Sequence, residues 1–115
     1  ILASFPQSQT HMFMLLVLTS LKAAIFEELI FRGYLLGNLL SWVPPGIAII
    51  VSAAIFFVGH LYQGVFPSVL TFFGGLAFGL VFFLTNSLTV VIVAHFFGDM
   101  IGLIIQAIGM SRKKN

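Results

Sequence analysis

Apolar residues fall in four long runs separated by short polar or helix-breaking clusters. The first covers residues 11–40 and stops at Ser41-Trp42-Val43-Pro44-Pro45-Gly46, where two prolines and a glycine end a helix and Trp42 suits a membrane interface. The second covers 46–62 and is broken by Gln63, Gly64 and Pro67. The third, the shortest, covers 68–84 and closes at the turn-like cluster Thr85-Asn86-Ser87. The fourth covers 88–109 and is followed by a basic tail over 110–115. A spanning helix needs roughly 20 mostly apolar residues, whereas a membrane strand needs only about 9–11. The runs exceed the strand length and lack strict apolar/polar alternation, so helices are expected. The expected fold is all-α: a polytopic transmembrane bundle of about four spanning helices, with short loops making consecutive helices antiparallel neighbours.

Composition supports this reading. The chain has 115 residues, 60% hydrophobic, and only 7% charged, against about 25% in soluble domains. Too few polar residues remain to clothe a soluble bundle. Disorder would require low hydrophobicity and high charge. With no cysteine, disulfides, thiol nucleophiles and cysteine metal sites are excluded. Three of the five basic residues are Arg112, Lys113 and Lys114. They form a tail rather than a nucleic-acid groove, and the positive-inside rule assigns it to the cytoplasm. The opening residues lack the basic region of a signal peptide. Because the chain starts at Ile1, it is expected to be a single transmembrane domain, 1–115, taken from a protein with further helices upstream.

All three acids, Glu27, Glu28 and Asp99, lie inside or beside apolar runs, as does Arg32. Left unpaired in a bilayer, these four charges would cost roughly 10 kcal/mol on insertion scales, so they require partners or a function. Glu28 and Arg32 are spaced i, i+4 and share a helix face, with the acid N-terminal to the base. Glu27 lies about 100° around the helix and is not Arg32's natural partner. His95 and Asp99 repeat the i, i+4 spacing in the fourth run, which lets the carboxylate orient the imidazole or lets both groups face one substrate or metal. His60 ends the second run. Three helices therefore offer polar groups to one interior, with Glu27 suited to a general base. Individually, the Glu28–Arg32 pair reads as a clamp and His11 as an interfacial histidine. Lys22 reads as a snorkelling cation. Gly75/Gly79 and Gly98/Gly102 read as packing glycines.

At these residues the sequence resembles the CPBP family, the CAAX prenyl proteases of the Ras-converting-enzyme type and the abortive-infection or bacteriocin-processing proteins. The motifs are Glu27-Glu28-Leu29-Ile30-Phe31-Arg32-Gly33, Phe56-Phe57-Val58-Gly59-His60 and His95-Phe96-Phe97-Gly98-Asp99. Gly75, Gly79 and the turn before the last helix fit the same pattern. The resemblance implies an intramembrane endopeptidase acting on a membrane-embedded or lipidated peptide. Glu27 and His60 would activate water, His95 would donate to the oxyanion, and Glu28 and Arg32 would support the site. The family often has Asn where this chain has Asp99. An ionised Asp cannot donate to an oxyanion, so Asp99 is protonated, orients His95, or ligates a metal. No cofactor is favoured; zinc held by Glu27, His60 and His95 is the alternative, although no HExxH motif occurs. One Asp cannot make an aspartyl dyad, and no Gly-x-Ser-Gly motif occurs. A non-proteolytic relative of the same fold, acting in bacteriocin immunity or as a scaffold, is the runner-up. A proton relay or transporter is weaker because no inverted repeat is present.

The three motifs also make a demand on geometry. Measured from the loop at residues 41–46 and from Leu88, straight helices leave His95 about 10 Å shallower than Glu27 and His60. A tilted or deeper-starting fourth helix is required to bring them together.

Overall fold

A computed structural model describes residues 8–114. The opening stretch read against a signal peptide therefore lies largely outside the described residues, as does the tail's last residue, Asn115. The described chain is helical, with short connections, and measures 50 × 26 × 26 Å. Helix α1 starts at Ser8, whose hydroxyl accepts the His11 N–H at 3.1 Å. It runs as an α-helix over Gln9–Glu28, widens to a π-helix over Leu29–Leu36, and closes with Gly37–Leu39. The widening is visible where the Gly37 N–H reaches back to the Arg32 carbonyl, five residues away. Such wide turns are rare and concentrate at functional sites.

Pro45 opens α2 (Pro45–Gly59), where its missing N–H costs nothing. A short 3₁₀ turn, Leu61–Gln63, leads to Gly64 at φ +102°, a conformation open to glycine, and then to α3 (Val65–Thr85). Pro67 thus lies in the first turn of α3 and does not end α2. Asn86, at φ 49°, caps α3 in the left-handed conformation. The Ser87 hydroxyl accepts the Val90 N–H at 3.2 Å and starts α4 (Leu88–Lys114). The shortest of the four helices is α2, with 15 residues, and not α3, which has 21. The segment read as a tail after residue 109 continues α4 as helix to Lys114, with its basic residues in the last turn. Among the described residues, two helices, α3 and α4, are long and apolar enough to cross a membrane.

The most extensive pairing is α2 on α3, followed by α1 on α4. Gly75 and Gly79 make the first one close. A Cβ on Gly75 would stand 3.2 Å from the Ala53 Cβ, and one on Gly79 would stand 3.2 Å from an Ile49 methyl. Leu36, Ala48 and Ile49 form a buried cluster at the end where α1 meets α2, flanked by Leu76 and Phe82 of α3. Gly98 and Gly102 differ. A Cβ on Gly98 would meet only the Phe78 ring, at 4.0 Å, and one on Gly102 would meet nothing within 4 Å. The second glycine pair therefore does not seat a described helix.

The depth of His95 has a simple resolution. Leu88 packs against Gly33, its Cδ2 3.5 Å from where a Gly33 Cβ would be. Helix α4 therefore begins level with the middle of the π-helical stretch and not with the loop after α1. Gly33 lies seven residues before Leu40, which supplies about the 10 Å that a straight-helix estimate lacks.

Candidate active site

Adjacent positions on α1 send Glu27 and Glu28 into different surroundings. Glu28 is sealed inside, and its Oε1 accepts from Arg32 Nη1 at 3.1 Å. The i, i+4 pair read from sequence is thus formed. The same oxygen accepts from His95 Nδ1 at 2.7 Å, a link across 67 positions of chain. Arg32 is also buried. Its Nη2 donates to the Gly75 carbonyl at 3.1 Å, and its guanidinium lies 4.8 Å from the Phe56 ring centre and 5.6 Å from that of Phe78. Two charges deep in an apolar bundle are held by each other, by a backbone carbonyl and by two π-faces.

Glu27 instead faces a cavity of about 390 Å3 that it lines with His60, Tyr62, Thr71, Phe78, His95 and Asp99. Its Oε1 lies 3.4 Å from His60 Nε2, and its Oε2 lies 3.2 Å from His95 Nε2. His60 is fixed from behind by Nδ1, which donates to the Phe56 carbonyl at 2.7 Å. That carbonyl can only accept, so Nδ1 carries a proton and Nε2 is turned to Glu27. The backbone at His60 is held in turn by Ser68, whose one hydroxyl proton is shared between the His60 carbonyl at 2.8 Å and the Gly64 carbonyl at 2.6 Å.

His95 is buried and stacks on Phe78, with ring centres 5.2 Å apart. Its Nδ1 donates to Glu28, so Nε2 is the atom presented to the cavity. Asp99 Oδ2 approaches that Nε2 at 3.4 Å. Three carboxylates thus surround one imidazole, and Asp99 stands where an orienting acceptor would stand.

The structure brings Glu27, Glu28, Arg32, His60, His95 and Asp99 into one cluster. It leaves out His11, which lies far along α1, and Lys22, which is exposed on that helix. Sequence reasoning does not single out Phe78, which contributes its ring, or Ser68, which contributes its hydroxyl; it names Gly75 and Phe56, but not the carbonyl and the ring through which they act. The one signal for Ser68 is a hydroxyl at the start of an apolar run.

The facing atoms of Glu27, His60 and His95, the three side chains that the zinc alternative names, are paired with one another. No group of three or more His, Asp and Glu side chains among the described residues converges to hold a metal ion.

Searches of curated proteins and of solved structures find no match to the chain. The family model for type II CAAX prenyl endopeptidases, Rce1-like, matches residues 9–101, which takes in α1, α2, α3 and the half of α4 that carries His95 and Asp99. By that match the chain belongs to the Rce1-like family of membrane-integral proteases.

Proposed function

We propose that this protein is an intramembrane endopeptidase that hydrolyses a peptide bond of a membrane-associated or lipidated peptide, with α1 to α4 all crossing the bilayer and the basic end of α4 in the cytoplasm. The observation that carries the proposal is the Glu27 carboxylate, open to a cavity and flanked at 3.4 and 3.2 Å by the Nε2 atoms of His60 and His95. A water in that cavity would give its proton to the Glu27–His60 pair as its oxygen attacks the peptide carbonyl carbon. His95 Nε2–H, turned from Glu27 to the substrate oxygen, would donate to the oxyanion that forms. Collapse breaks the C–N bond, and the proton held by Glu27 and His60 passes to the leaving amine. Glu28 holds His95 by Nδ1, and Arg32 compensates the charge of Glu28. Asp99, 3.4 Å from the same His95 Nε2, shares that N–H with Glu27 until the substrate oxygen takes it, and is not itself the oxyanion donor.

The test is cleavage of a farnesylated CAAX peptide and of unmodified membrane peptides by protein reconstituted in lipid, beside Glu27→Ala and His60→Ala. Cleavage by the wild type that both changes abolish is expected. Proteolysis surviving either change sinks the mechanism. Water activation here needs no metal, so a chelator should leave the rate unchanged; loss of activity on chelation and return with zinc would replace this chemistry with metal-bound water.

A further inference from the structure

A second cavity, about 630 Å3, lies along α1 and α4 beside the start of α3. It shares Ala23 and Asp99 with the catalytic cavity and so continues it. Helices α1 and α4 run antiparallel here: Gly33 faces Leu88, Glu28 faces His95, and farther along Ser20 and Thr19 share the groove with Gly102 and Gln106. Gly98 and Gly102, which seat no described helix, form its floor. Ser20 is only 5% exposed and lines the groove, yet its hydroxyl makes no hydrogen bond with any described residue. Thr19 and Gln106 add two further polar side chains.

The lining is mostly apolar, broken by these three polar side chains, and it leads directly out of the cavity that holds Glu27 and His95. A polypeptide backbone gains from such a lining, because each of its N–H and C=O groups needs a partner where water is scarce. Glycines also permit close approach of another backbone. We propose that this groove seats the substrate's polypeptide in extended form on one side of the scissile bond, with Ser20, Thr19 and Gln106 bonding its backbone. The assignment rests on the proteolytic reading of the adjoining cavity.

Spacing turns it into a register. At 1.5 Å per residue, Gly102 lies about 10 Å and Gln106 about 16 Å along α4 from His95. An extended chain advances about 3.3 Å per residue, so these positions should meet the substrate about three and about five residues from the scissile bond. Because the chain has no cysteine, disulfide trapping can be read cleanly. Gly102→Cys and Gln106→Cys, each in a Glu27→Ala background in lipid nanodiscs, would be mixed with a farnesylated CAAX peptide whose one free cysteine is moved along its length. The expected result is trapping that peaks near the third position for Gly102→Cys and near the fifth for Gln106→Cys.

Uniform trapping, no trapping, or a disulfide between two copies of the protein would overturn the assignment. Should the trapping variants misfold, Gly102→Leu in the otherwise wild-type chain gives a second reading: filling the groove should lower kcat/KM on the order of tenfold through KM, with kcat kept. An unchanged KM overturns the groove. Register-specific trapping without wild-type cleavage would keep the groove and sink the proteolysis, whereas cleavage without the register would do the reverse.

Discussion

Glu28 and Glu27 divide the labour of the site through burial alone. With Glu28 removed, Arg32 would keep only the Gly75 carbonyl and two rings, and a buried charge stripped of its partner costs about 3–5 kcal/mol. Glu28→Ala should therefore lower the melting temperature of the protein in detergent markedly. Arg32→Met added to Glu28→Ala should recover most of that loss, because apolar replacement of a whole buried pair is often neutral. It should not recover cleavage, since His95 would still lack its Nδ1 acceptor. Recovery of both would show that Glu28 serves stability only. Asp99 invites a finer comparison. It approaches His95 Nε2 from the open side, and an Asn oxygen there can accept as well. Asp99→Asn should keep the cleavage rate within about tenfold, whereas His95→Ala should lower it by about 10²–10³, the usual cost of an oxyanion donor. Equal losses would move Asp99 into the reaction itself. The Glu28–Arg32 pair was legible because i, i+4 spacing fixes a shared face on any helix. The Glu28–His95 bond was not, since nothing local to either residue encodes a partner 67 positions away.

At the level of elements, the glycines separate what spacing alone makes look alike. Both pairs are four apart on apolar helices, but only Gly75 and Gly79 meet a neighbour. A Cβ on Gly75 would also lie 3.3 Å from the Ala53 Cα, backbone that cannot swing aside. Gly75→Val should thus cost about 1–3 kcal/mol and push the α3 carbonyl away from Arg32. Gly102→Ala should be neutral or stabilising by up to about 1 kcal/mol, because it gains helix propensity and meets nothing. Thermal unfolding of the two variants in the same detergent checks the contrast, and a loss at Gly102 equal to that at Gly75 would mean that an undescribed segment covers the groove. The π-helical widening of α1 was invisible in the residue pattern, since Leu29–Leu36 reads as any apolar helix would. Its location, directly after the glutamate pair and spanning Arg32, links the irregularity to the site. The late start of α4 was equally hidden: the turn at Thr85-Asn86-Ser87 was plain in sequence, but its depth depends on Leu88 finding Gly33 on another helix.

On the scale of the whole molecule, antiparallel order places the two ends of the described chain together. The start of α1 and the basic end of α4 lie on one side, beyond the level at which α2 ends and α3 begins, while the loop after α1 lies on the other. Large apolar side chains are exposed along this projecting pair, Phe13, Leu18, Ile101 and Ile105 among them. Surfaces of that kind require lipid or further helices to cover them. If α1 to α4 all span, Ser41 and Lys114 must face opposite compartments, and by the positive-inside rule Lys114 would be the one in the cytoplasm. The absence of cysteine makes the test direct. In sealed inverted vesicles, Lys114→Cys should react with a membrane-impermeant maleimide and Ser41→Cys should react only after permeabilisation. Labelling of both from the same face would mean that α2, α3 and α4 do not all cross. The charged cluster would then sit at an interface and not within the bilayer, and the need to neutralise Glu28 with a buried arginine would have to be explained by the protein interior alone.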